Sequence, residues 1–374
     1  MTAILHFTRD LRLEDHAALA TAAHDARVVP VVVLDPATSG RLRRSPRRAA
    51  YYCSAIAALE RAIAARGGRL IVRRGRTAST LRALARAVGA TSVVWTASYD
   101  AHGARVDRDV QAALEEAGLR VSVVHDASAV APEDTALERR GYRSFAAYFE
   151  RWLQQDIVPY DTLDAQFDAP EVSSECLPIP AEFGSSVDPD EPVDAEEIRK
   201  RFDRYLENEI LHYTIARNVP ADGQTSQLAA PLSFGIIAAR SVVAAVRNRR
   251  ADRLLLTEER ISIDLFLRAL AQRDFFLQLG YFYEALDDAP LQDKMRRFSF
   301  SRTHPALDAW RAGKTGFPLI DAGMRQLRAT GWMHPRVRAI AASFLCFDLG
   351  VDWRIGRDEW DHWLIEDEPA LATG

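Results

Sequence analysis

The feature of this sequence that most limits its fold is a change of pattern near residue 128. Before that point, five short runs rich in β-branched residues alternate with helix-length segments rich in Ala, Arg and Leu. The expected strands are residues 3–7, 28–34, 69–72, 92–95 and 120–124. This alternation predicts a Rossmann-like α/β domain over residues 1–128, in which helices wrap a parallel sheet. Open sheets of this type bind ligands at the carboxyl ends of their strands.

After residue 128 the strand signals disappear. Residues 129–194 contain frequent prolines and predict an extended connector, with one helix at 144–155 where aromatic side chains recur at helical spacing. From 195 to 374 the pattern is helical throughout, and it starts with an apolar stripe that begins at Ile198 and ends at Leu206. The chain exceeds the usual size of one core, so we expect an α/β domain and an all-α domain joined by this connector.

The formal net charge of −4 means that the molecule as a whole is not drawn to a phosphate backbone. Binding to nucleic acid would need a local basic patch, and three Arg-rich runs are candidates: residues 41–48, 247–250 and 294–302. Each run could instead be a solvated face of the protein. The third is the best candidate because Phe298 and Phe300 are interleaved with its charges.

Cysteine usage and hydropathy exclude several classes of protein. Cys53, Cys176 and Cys346 are widely spaced, which argues against a disulfide framework and against a CxxC metal or redox site, so we expect no bound metal. The apolar runs are too short to cross a bilayer, and the N-terminus lacks a signal pattern. We therefore expect a cytoplasmic protein with no membrane partner.

The segment DGQTSQLAAPLSFG, residues 222–235, carries a candidate binding motif. A turn containing Gly is followed by Thr225 and Ser226, so two hydroxyls and a turn of backbone N–H groups precede an expected helix. Such a helix start favours a pyrophosphate. Plain N-capping by Thr225 or Ser226 is the alternative.

Four motifs together resemble the DNA photolyase and cryptochrome family, and the pattern is closest to cyclobutane-dimer photolyases. They are HFTRDLRLEDHAAL at 6–19, the segment 222–235, WRAGKTGFPLIDAGMRQLRATGWMHPRVR at 310–338, and DEPALATG at 367–374. The resemblance implies an N-terminal antenna domain at 1–128, a connector at 129–194 and a helical FAD-binding domain at 195–374. Compared with the family, we expect the last domain to be truncated at its C-terminus.

The resemblance implies FAD as the cofactor. The matching positions are Tyr213, Thr225, Ser226, Gln227, Leu228, Arg273, Arg338, Glu366 and Glu368. In the family the Thr-Ser pair holds the FAD phosphates, and Arg338 matches an arginine that pairs with a flavin-contacting acid. Glu366 and Glu368 stand where the family usually has Asp, and Ala372 replaces an Asn that faces flavin N5.

Trp310 and Trp353 match two members of the tryptophan chain that carries electrons to the excited flavin in this family. The third member would lie just beyond Gly374. Either tryptophan could instead be an aromatic residue of the core.

The resemblance also implies damaged DNA as the partner of a monomeric protein, with Arg296, Arg297 and Arg336 as candidate DNA contacts. Several lesion-contacting positions differ from the family pattern, however. Ala269 and Gln272 replace a Glu and a stacking Trp, and Pro335 and Ala339 replace lesion-facing side chains. His334 is interpreted as structural.

The antenna remains open, because His102 and Gly103 occupy the positions of the Asn-Glu pair found in folate-binding relatives. A deazaflavin, a second flavin or no antenna would each be compatible with this segment. The first hypothesis for function is a deoxyribodipyrimidine photolyase, a carbon–carbon lyase in which photoexcited reduced FAD donates an electron that splits pyrimidine dimers. The alternatives are a cryptochrome-like blue-light receptor without repair activity and a truncated, inactive photolyase homologue.

Overall fold

A five-stranded parallel sheet forms the N-terminal part of the protein, as predicted. The structure is a computed structural model, and it describes residues 1–24, 26–138, 140–188, 193–222, 225–291 and 293–373. The strands are β1 (Thr2–Phe7), β2 (Arg27–Leu34), β3 (Ile71–Arg74), β4 (Ser92–Thr96) and β5 (Arg120–Val124), in the spatial order β3-β2-β1-β4-β5. Strand β3 lies two residues later than predicted, because its register pairs Val31 with Ile71 and Leu34 with Arg74.

Helices cover both faces of this sheet. They are α1 (Ala17–Ala23), α2 (Pro36–Arg44), α3 (Pro46–Ala65), α4 (Thr77–Val88) and α5 (Ala101–Glu116). One face packs against α1 and α3, where Leu5 and Val32 share a core with Ile56. The other face packs against α4 and α5, where Ile4 meets Leu84 in a separate core. The alternation of strand side chains between two apolar layers is what a parallel sheet requires.

The break between α2 and α3 has a local cause. Ser45 ends α2 and caps α3, where its hydroxyl accepts a hydrogen bond from the backbone N–H of Arg48 at 3.4 Å. Pro46 occupies the first position of α3, where a missing N–H costs nothing. The turn lets Arg41 and Arg44 of α2 and Arg48 of α3 pair with acids near the C-terminus of the chain.

The connector lies against the α/β domain. Two short helices follow β5, namely α6 (Pro132–Thr135) and α7 (Phe145–Leu153), and α7 matches the predicted helix. Farther along, Phe167 forms a bridge with Val28 of β2, and Glu175 donates its backbone N–H to Val72 of β3 at 3.0 Å. Through these backbone contacts with β2 and β3, the proline-rich connector lies along the sheet without forming a strand of its own.

The rest of the described chain is helical. The helices are α8 (Ala195–Glu207), α9 (Tyr213–Ala216), α10 (Ala229–Ser233), α11 (Ala239–Arg250), α12 (Thr257–Phe282), α13 (Leu307–Ala312), α14 (Pro318–Thr330), α15 (Pro335–Ser343), α16 (Trp353–Trp363) and α17 (Pro369–Thr373). A π-helical turn, Phe344–Asp348, follows α15, and short 3₁₀ turns include Glu209–His212 and Asp293–Arg297. The predicted stripe from Ile198 to Leu206 is buried on α8. The expected class, α/β followed by all-α, is confirmed.

Gly235 marks a close approach between the two parts. Its φ of 61° lies in the left-handed region, and a Cβ at this position would collide with the backbone of Arg9 and Asp10. Beside it, the backbone N–H of Leu11 donates to the carbonyl of Phe234 at 3.0 Å. Glycine is therefore required here to let the two backbones meet.

A buried ion network lies at the same junction. Asp126, just after β5, accepts a hydrogen bond from Arg12 at 2.7 Å and another from Arg240 of α11. Arg240 also pairs with Asp15 at 3.3 Å. Asp10, His16 and Asp126 lie close enough to hold a metal ion in principle. Because two guanidinium groups already neutralise Asp126, we interpret the cluster as a junction of ion pairs.

Candidate functional site

The structure brings four of the predicted cofactor residues into two ion pairs on one short segment. Glu366 pairs with Arg338, with 2.7 Å between Oε1 and Nη2, and Glu368 pairs with Arg273 at 2.8 Å. Both carboxylates are buried. Buried carboxylates are stable when they are paired in this way, so the segment at 366–368 presents two anchored acids.

Arg273 connects three parts of the site. It lies on α12 and donates not only to Glu368 but also to the carbonyl oxygens of Ala127 at 2.8 Å and Leu232 at 3.3 Å. Leu232 lies on α10, within the predicted phosphate-binding motif at 222–235. Arg273 therefore joins the end of the sheet, the motif and the acidic segment.

Arg338 of α15 has an unused hydrogen-bond donor. Its Nη2 donates to Glu366 and to the carbonyl of Met333, whereas its Nε is buried and has no partner among the described residues. Buried donors in native proteins are nearly always paired with protein, water or ligand. This N–H is therefore available to an acceptor that the chain itself does not supply.

The predicted phosphate motif forms a turn before α10. Gln227 adopts a left-handed φ of 50°, and its carbonyl accepts a hydrogen bond from Arg201 of α8 at 3.0 Å. Leu228, which is buried, is the N-cap of α10, so capping by Thr225 or Ser226 is not observed. Both hydroxyl side chains are partly exposed. Two residues of this motif, Gly223 and Gln224, lie outside the described residues.

Tyr213 lies half-buried between aromatic and basic groups. Its ring meets the ring of Phe266 edge-on at 5.2 Å, and the Arg217 guanidinium lies over it at 5.5 Å. Burial raises the pKa of Tyr213, and the charges of Arg217 and Arg336 oppose this effect. The predicted cofactor tyrosine and the predicted DNA contact Arg336 therefore face a common region.

Sequence analysis missed two polar groups near Tyr213. The Tyr205 hydroxyl and the Oε2 atom of Glu209 are both buried without a partner in the described part of the chain. Burial raises the pKa of Tyr205, and Tyr213 and Glu209 raise it further. The spacing of four residues from 205 to 209 to 213 is the available signal, but Tyr205 also fits the apolar stripe of α8.

Asp274, next to Arg273, has a structural role. Its Oδ2 accepts hydrogen bonds from the Trp152 indole and the backbone N–H of Ala129 at 3.0 Å each, and from Val130 at 3.4 Å. Burial raises the pKa of Asp274 to about 6, against the lowering effect of Arg273 and these donors. Asp274 thus fastens the connector to α12.

Two of the three basic runs are engaged within the protein. Arg41 pairs with Asp367 at 2.6 Å, and Arg48 is fully buried. In the second run, Arg247 donates to the carbonyl of Gln155 at 2.8 Å. The adjacent residues 249 and 250 pair with carboxylates. Arg41 and Arg48 are therefore held within the protein, whereas the ion pairs of residues 249 and 250 are partly exposed.

The third run is exposed. Arg296 and Arg297 lie at the surface on the turn Asp293–Arg297, followed by Phe298, whose side chain is 56% exposed. Its ring packs against Phe300 with 4.7 Å between centroids. Exposed arginines beside an exposed aromatic ring form a suitable surface for a nucleic acid.

The lesion-contacting positions that differ from the family pattern lie in accessible places. Pro335 and Ala339 are exposed along α15 with Arg336, and Gln272 is exposed on α12. His334 is buried and caps α15 by accepting a hydrogen bond from the N–H of Arg336 at 3.2 Å. This contact agrees with the structural role predicted for His334.

Trp310 and Trp353 have different surroundings. Trp310 is fully buried, donates to the carbonyl of Ala341 at 3.1 Å, and packs against Trp360 with 5.6 Å between ring centroids. Trp353 is partly exposed at the start of α16, where the Arg354 guanidinium lies over its ring at 4.8 Å. The contacts of Trp310 suit a core residue, and an electron-transfer role for either tryptophan stays a prediction.

The antenna positions lie at the start of α5, and a cavity lies between three other helices. His102 is exposed, and the N–H of Gly103 donates to Asp100 in the cap of α5. A cavity of about 590 Å³ lies between α3, α8 and α11, where its lining includes Leu59 and Phe202. Among the described residues, no helix is long and apolar enough to span a membrane.

Comparison with known proteins identifies two family domains. Residues 3–171 match the DNA photolyase model, and residues 266–374 match the FAD binding domain of DNA photolyase. The first match extends through most of the predicted connector. The predicted boundaries near residues 128 and 194 stay predictions.

Whole-chain relatives agree with these matches. The deoxyribodipyrimidine photo-lyase of Halobacterium salinarum is 34% identical over 98% of this chain and 79% of its own. Cryptochrome-2 of Arabidopsis thaliana is 29% identical over 97% of this chain and 62% of its own. The crystal structure of a class III photolyase from Agrobacterium tumefaciens superposes with a TM-score of 0.87 and 29% identity, covering all of this chain and 78% of the other. The chain therefore belongs to the DNA photolyase family.

Proposed function

We propose that this protein binds FAD and uses it to repair pyrimidine dimers in DNA in a light-dependent lyase reaction. The observation that carries the proposal is the pairing of Arg273 with Glu368 and of Arg338 with Glu366. These residues are far apart in the sequence, and motif resemblance alone predicts each of them as a cofactor residue. Their convergence is expected if the segment lines a cofactor site.

The chemistry of the donor set fits FAD. The buried Nε of Arg338 lacks a protein partner, as do the Tyr205 hydroxyl and Glu209 Oε2 among the described residues. A flavin ring offers carbonyl acceptors, and the ribityl and ribose groups offer hydroxyls that both donate and accept. Thr225 and Ser226, on the turn before α10, would hold the phosphates.

FAD, when reduced and excited by light, would supply the electron that splits the cyclobutane ring. The protein groups would hold and tune this cofactor. Arg338 places a cation beside the acidic segment and would stabilise negative charge on the reduced ring. Arg273 neutralises Glu368, so this acid does not repel the reduced cofactor.

DNA would contact the exposed arginines Arg296, Arg297 and Arg336. The exposed Phe298 ring would add a stacking contact. Flipping a damaged pair out of the duplex costs a few kcal/mol, and each stacked base recovers about 1–3 kcal/mol. Because Gln272 stands in place of the stacking Trp, we expect weaker lesion affinity than in relatives that retain it, by about 5- to 150-fold.

The experiment begins with the absorption spectrum of the purified protein and the amount of flavin released on denaturation. The reduced, FAD-loaded protein is then illuminated with an oligonucleotide containing a cyclobutane dimer, and dimer loss is measured against a dark control. A Glu366→Gln, Glu368→Gln double variant should lose FAD. Glu175→Gln, at an exposed ion pair between the connector and Arg74 of the α/β domain, is the matched control. Stoichiometric FAD without light-dependent dimer loss would refute the repair proposal.

A second candidate function is light sensing without repair. The observation that favours it is that Ala269, Gln272 and Pro335 provide neither an aromatic ring nor a charge at lesion-facing positions. A sensor needs bound FAD but no lesion contacts. The same illuminated protein would then leave the dimer intact while its binding to a partner changed with light.

The antenna, the oligomeric state and the location are separate proposals. We propose a monomeric, cytoplasmic protein, which light scattering of the FAD-loaded chain and cell fractionation would test. The chromophore that accompanies FAD, if there is one, would be identified by mass spectrometry of the denatured protein. A released deazaflavin, a second flavin or FAD alone would distinguish the open alternatives.

A further inference from the structure

The segment that carries Glu366 and Glu368 is held from its other side by the α/β domain. Between these two acids lies Asp367, which is buried and which sequence analysis did not single out. Its Oδ1 lies 2.6 Å from Nη2 of Arg41 and 3.6 Å from Nη1 of Arg48. Both arginines come from the α2–α3 region, more than 300 residues earlier in the chain.

The backbone of the segment is held in the same way. Arg48 donates to the carbonyl oxygens of Asp361 at 2.9 Å, Glu366 at 3.2 Å and Leu364 at 3.4 Å. Arg9, after β1, donates to the carbonyl of Asp367. The N–H of Asp367 donates to the Ser233 hydroxyl at 2.8 Å.

The positive charges around Asp367 keep its carboxylate ionised, and therefore paired with the arginines. Burial alone would raise its pKa, but Arg41, Arg48 and Arg9 together lower the pKa well below the usual range. The carboxylate therefore stays ionised at every pH at which the protein would work. Arg41 also pairs with Asp100 at 3.4 Å, so its guanidinium is fixed from two sides.

The three acids have different main partners. Glu366 and Glu368 pair at 2.7 and 2.8 Å with arginines of α15 and α12, whereas Asp367 pairs at 2.6 Å with Arg41 of the α/β domain. Arg9 lies 4.0 Å from both Asp367 and Glu368. A shift of Asp367 would move the acids on both sides of it, because they are its covalent neighbours. A displacement of about 1 Å is enough to disturb a binding geometry.

We propose that Arg41 and Arg48, acting through Asp367, are positioning residues that set Glu366 and Glu368 for FAD. This inference rests on the proposed function. It adds that the α/β domain controls FAD affinity through charges that do not touch the cofactor. By linkage, bound FAD would in turn strengthen the contact between the two domains.

The test is a double-mutant cycle on the dissociation constant of FAD, measured by flavin fluorescence with the full-length apoprotein. The variants are Asp367→Asn, Arg41→Gln and the double variant. The control is Arg74→Gln, which removes a partly exposed arginine of the α/β domain that pairs with Glu175 and Glu182 of the connector. We expect each single variant to weaken FAD binding about 10- to 100-fold, as for outer-shell partners of bound metals.

The cycle also gives the size of the coupling. The double variant should bind FAD within about twofold of the weaker single variant, because Asp367→Asn already removes the charge with which Arg41 pairs. Hydrogen exchange of the apoprotein should rise in residues 364–368 in each variant and stay unchanged in Arg74→Gln. The exchange measurement reports on the segment without depending on activity.

The outcomes separate the two proposals. If the unmodified protein does not bind FAD, the proposed function and this inference both fail. If it binds FAD and the variants bind it equally well, or if their effects on affinity multiply, the inference alone is overturned. If Asp367→Asn does not fold, the comparison of Arg41→Gln with Arg41→Lys tests the inference, because Arg41 is partly exposed. The Arg41→Lys variant should regain part of the FAD affinity that Arg41→Gln loses.

Discussion

The ion network at Asp126 makes a direct prediction about what joins the sheet to the helical part. The Asp126 side chain is completely buried and accepts hydrogen bonds from Arg12 and Arg240. In Asp126→Asn, the shape is retained but the negative charge is lost. Arg12 keeps carbonyl acceptors at Asp15 and Gly235, and Arg240 keeps Asp15. Two buried guanidinium groups then share less negative charge.

The size of the effect follows from these contacts. Each hydrogen bond involving a charged group contributes about 1.5–3 kcal/mol, so two lost bonds cost roughly 3–6 kcal/mol. The amide oxygen of Asn recovers about 1 kcal/mol of this by accepting one bond. We therefore expect the free energy of unfolding to fall by about 2–5 kcal/mol, which overlaps the loss of about 3–5 kcal/mol found when a buried ion pair is broken.

The assay is urea unfolding of the apoprotein at pH 7, followed by circular dichroism and tryptophan fluorescence. The control is Glu175→Gln, which breaks an exposed pair with Arg74 and should cost less than about 1 kcal/mol. A loss at Asp126→Asn no larger than that of the control would refute the reasoning. It would mean that the network contributes no net stability at this junction.

Three further predictions concern the site and its surroundings. Trp353→Phe should slow photoreduction of the bound flavin under steady blue light, and a rate equal to that of the unmodified protein would contradict this prediction. Trp310→Phe should instead lower the free energy of unfolding by about 1 kcal/mol or more, because it loses the hydrogen bond of the indole. The raised pKa of Asp274, about 6 against 3.8, means that its contribution to stability is fully present below pH 3.8 and is lost as the pH rises through 6. Between pH 5 and pH 7 the melting temperature of the unmodified protein should therefore fall relative to that of Asp274→Asn, and parallel melting curves would exclude this titration. Arg296→Gln and Arg297→Gln should each reduce the slope of log K for DNA against log salt by about 0.9, and an unchanged slope in filter binding would place the DNA elsewhere.

The sheet could be predicted because its signal is local. Five β-branched runs gave five strands in the expected places, and the helix at α7 followed from aromatic side chains at helical spacing. The two-residue shift of β3 could not be predicted in the same way. Register depends on which residues of β2 lie opposite, and that pairing is not visible in the β3 sequence.

The sequence predicted which residues belong to the candidate site but not which of them pair with each other. Motif resemblance assigned Arg273, Arg338, Glu366 and Glu368 to the cofactor, but not which arginine meets which acid. The hydroxyl-rich turn was located, whereas the start of α10 at Ala229 was not. Capping preference is a local propensity, and here the left-handed turn at Gln227 takes precedence over it.

The basic run at 41–48 shows where sequence patterns stop being informative. As a string of arginines it indicated either a nucleic-acid patch or a solvated face, and Arg41 and Arg48 are in neither setting. They pair with Asp367, which appeared in the sequence as one more acid between two glutamates. The sequence around the arginines does not indicate their pairing with Asp367, and the sequence around Asp367 does not indicate it either.

Local periodicity and short motifs were sufficient for the fold class, the family and the set of candidate cofactor residues, because neighbouring residues determine strand and helix preference. The tertiary structure decided which charges are neutralised and which remain at the surface. Charges interact strongly when they are buried at a few ångströms, and that distance between residues 300 positions apart exists only after the two parts of the chain have packed together.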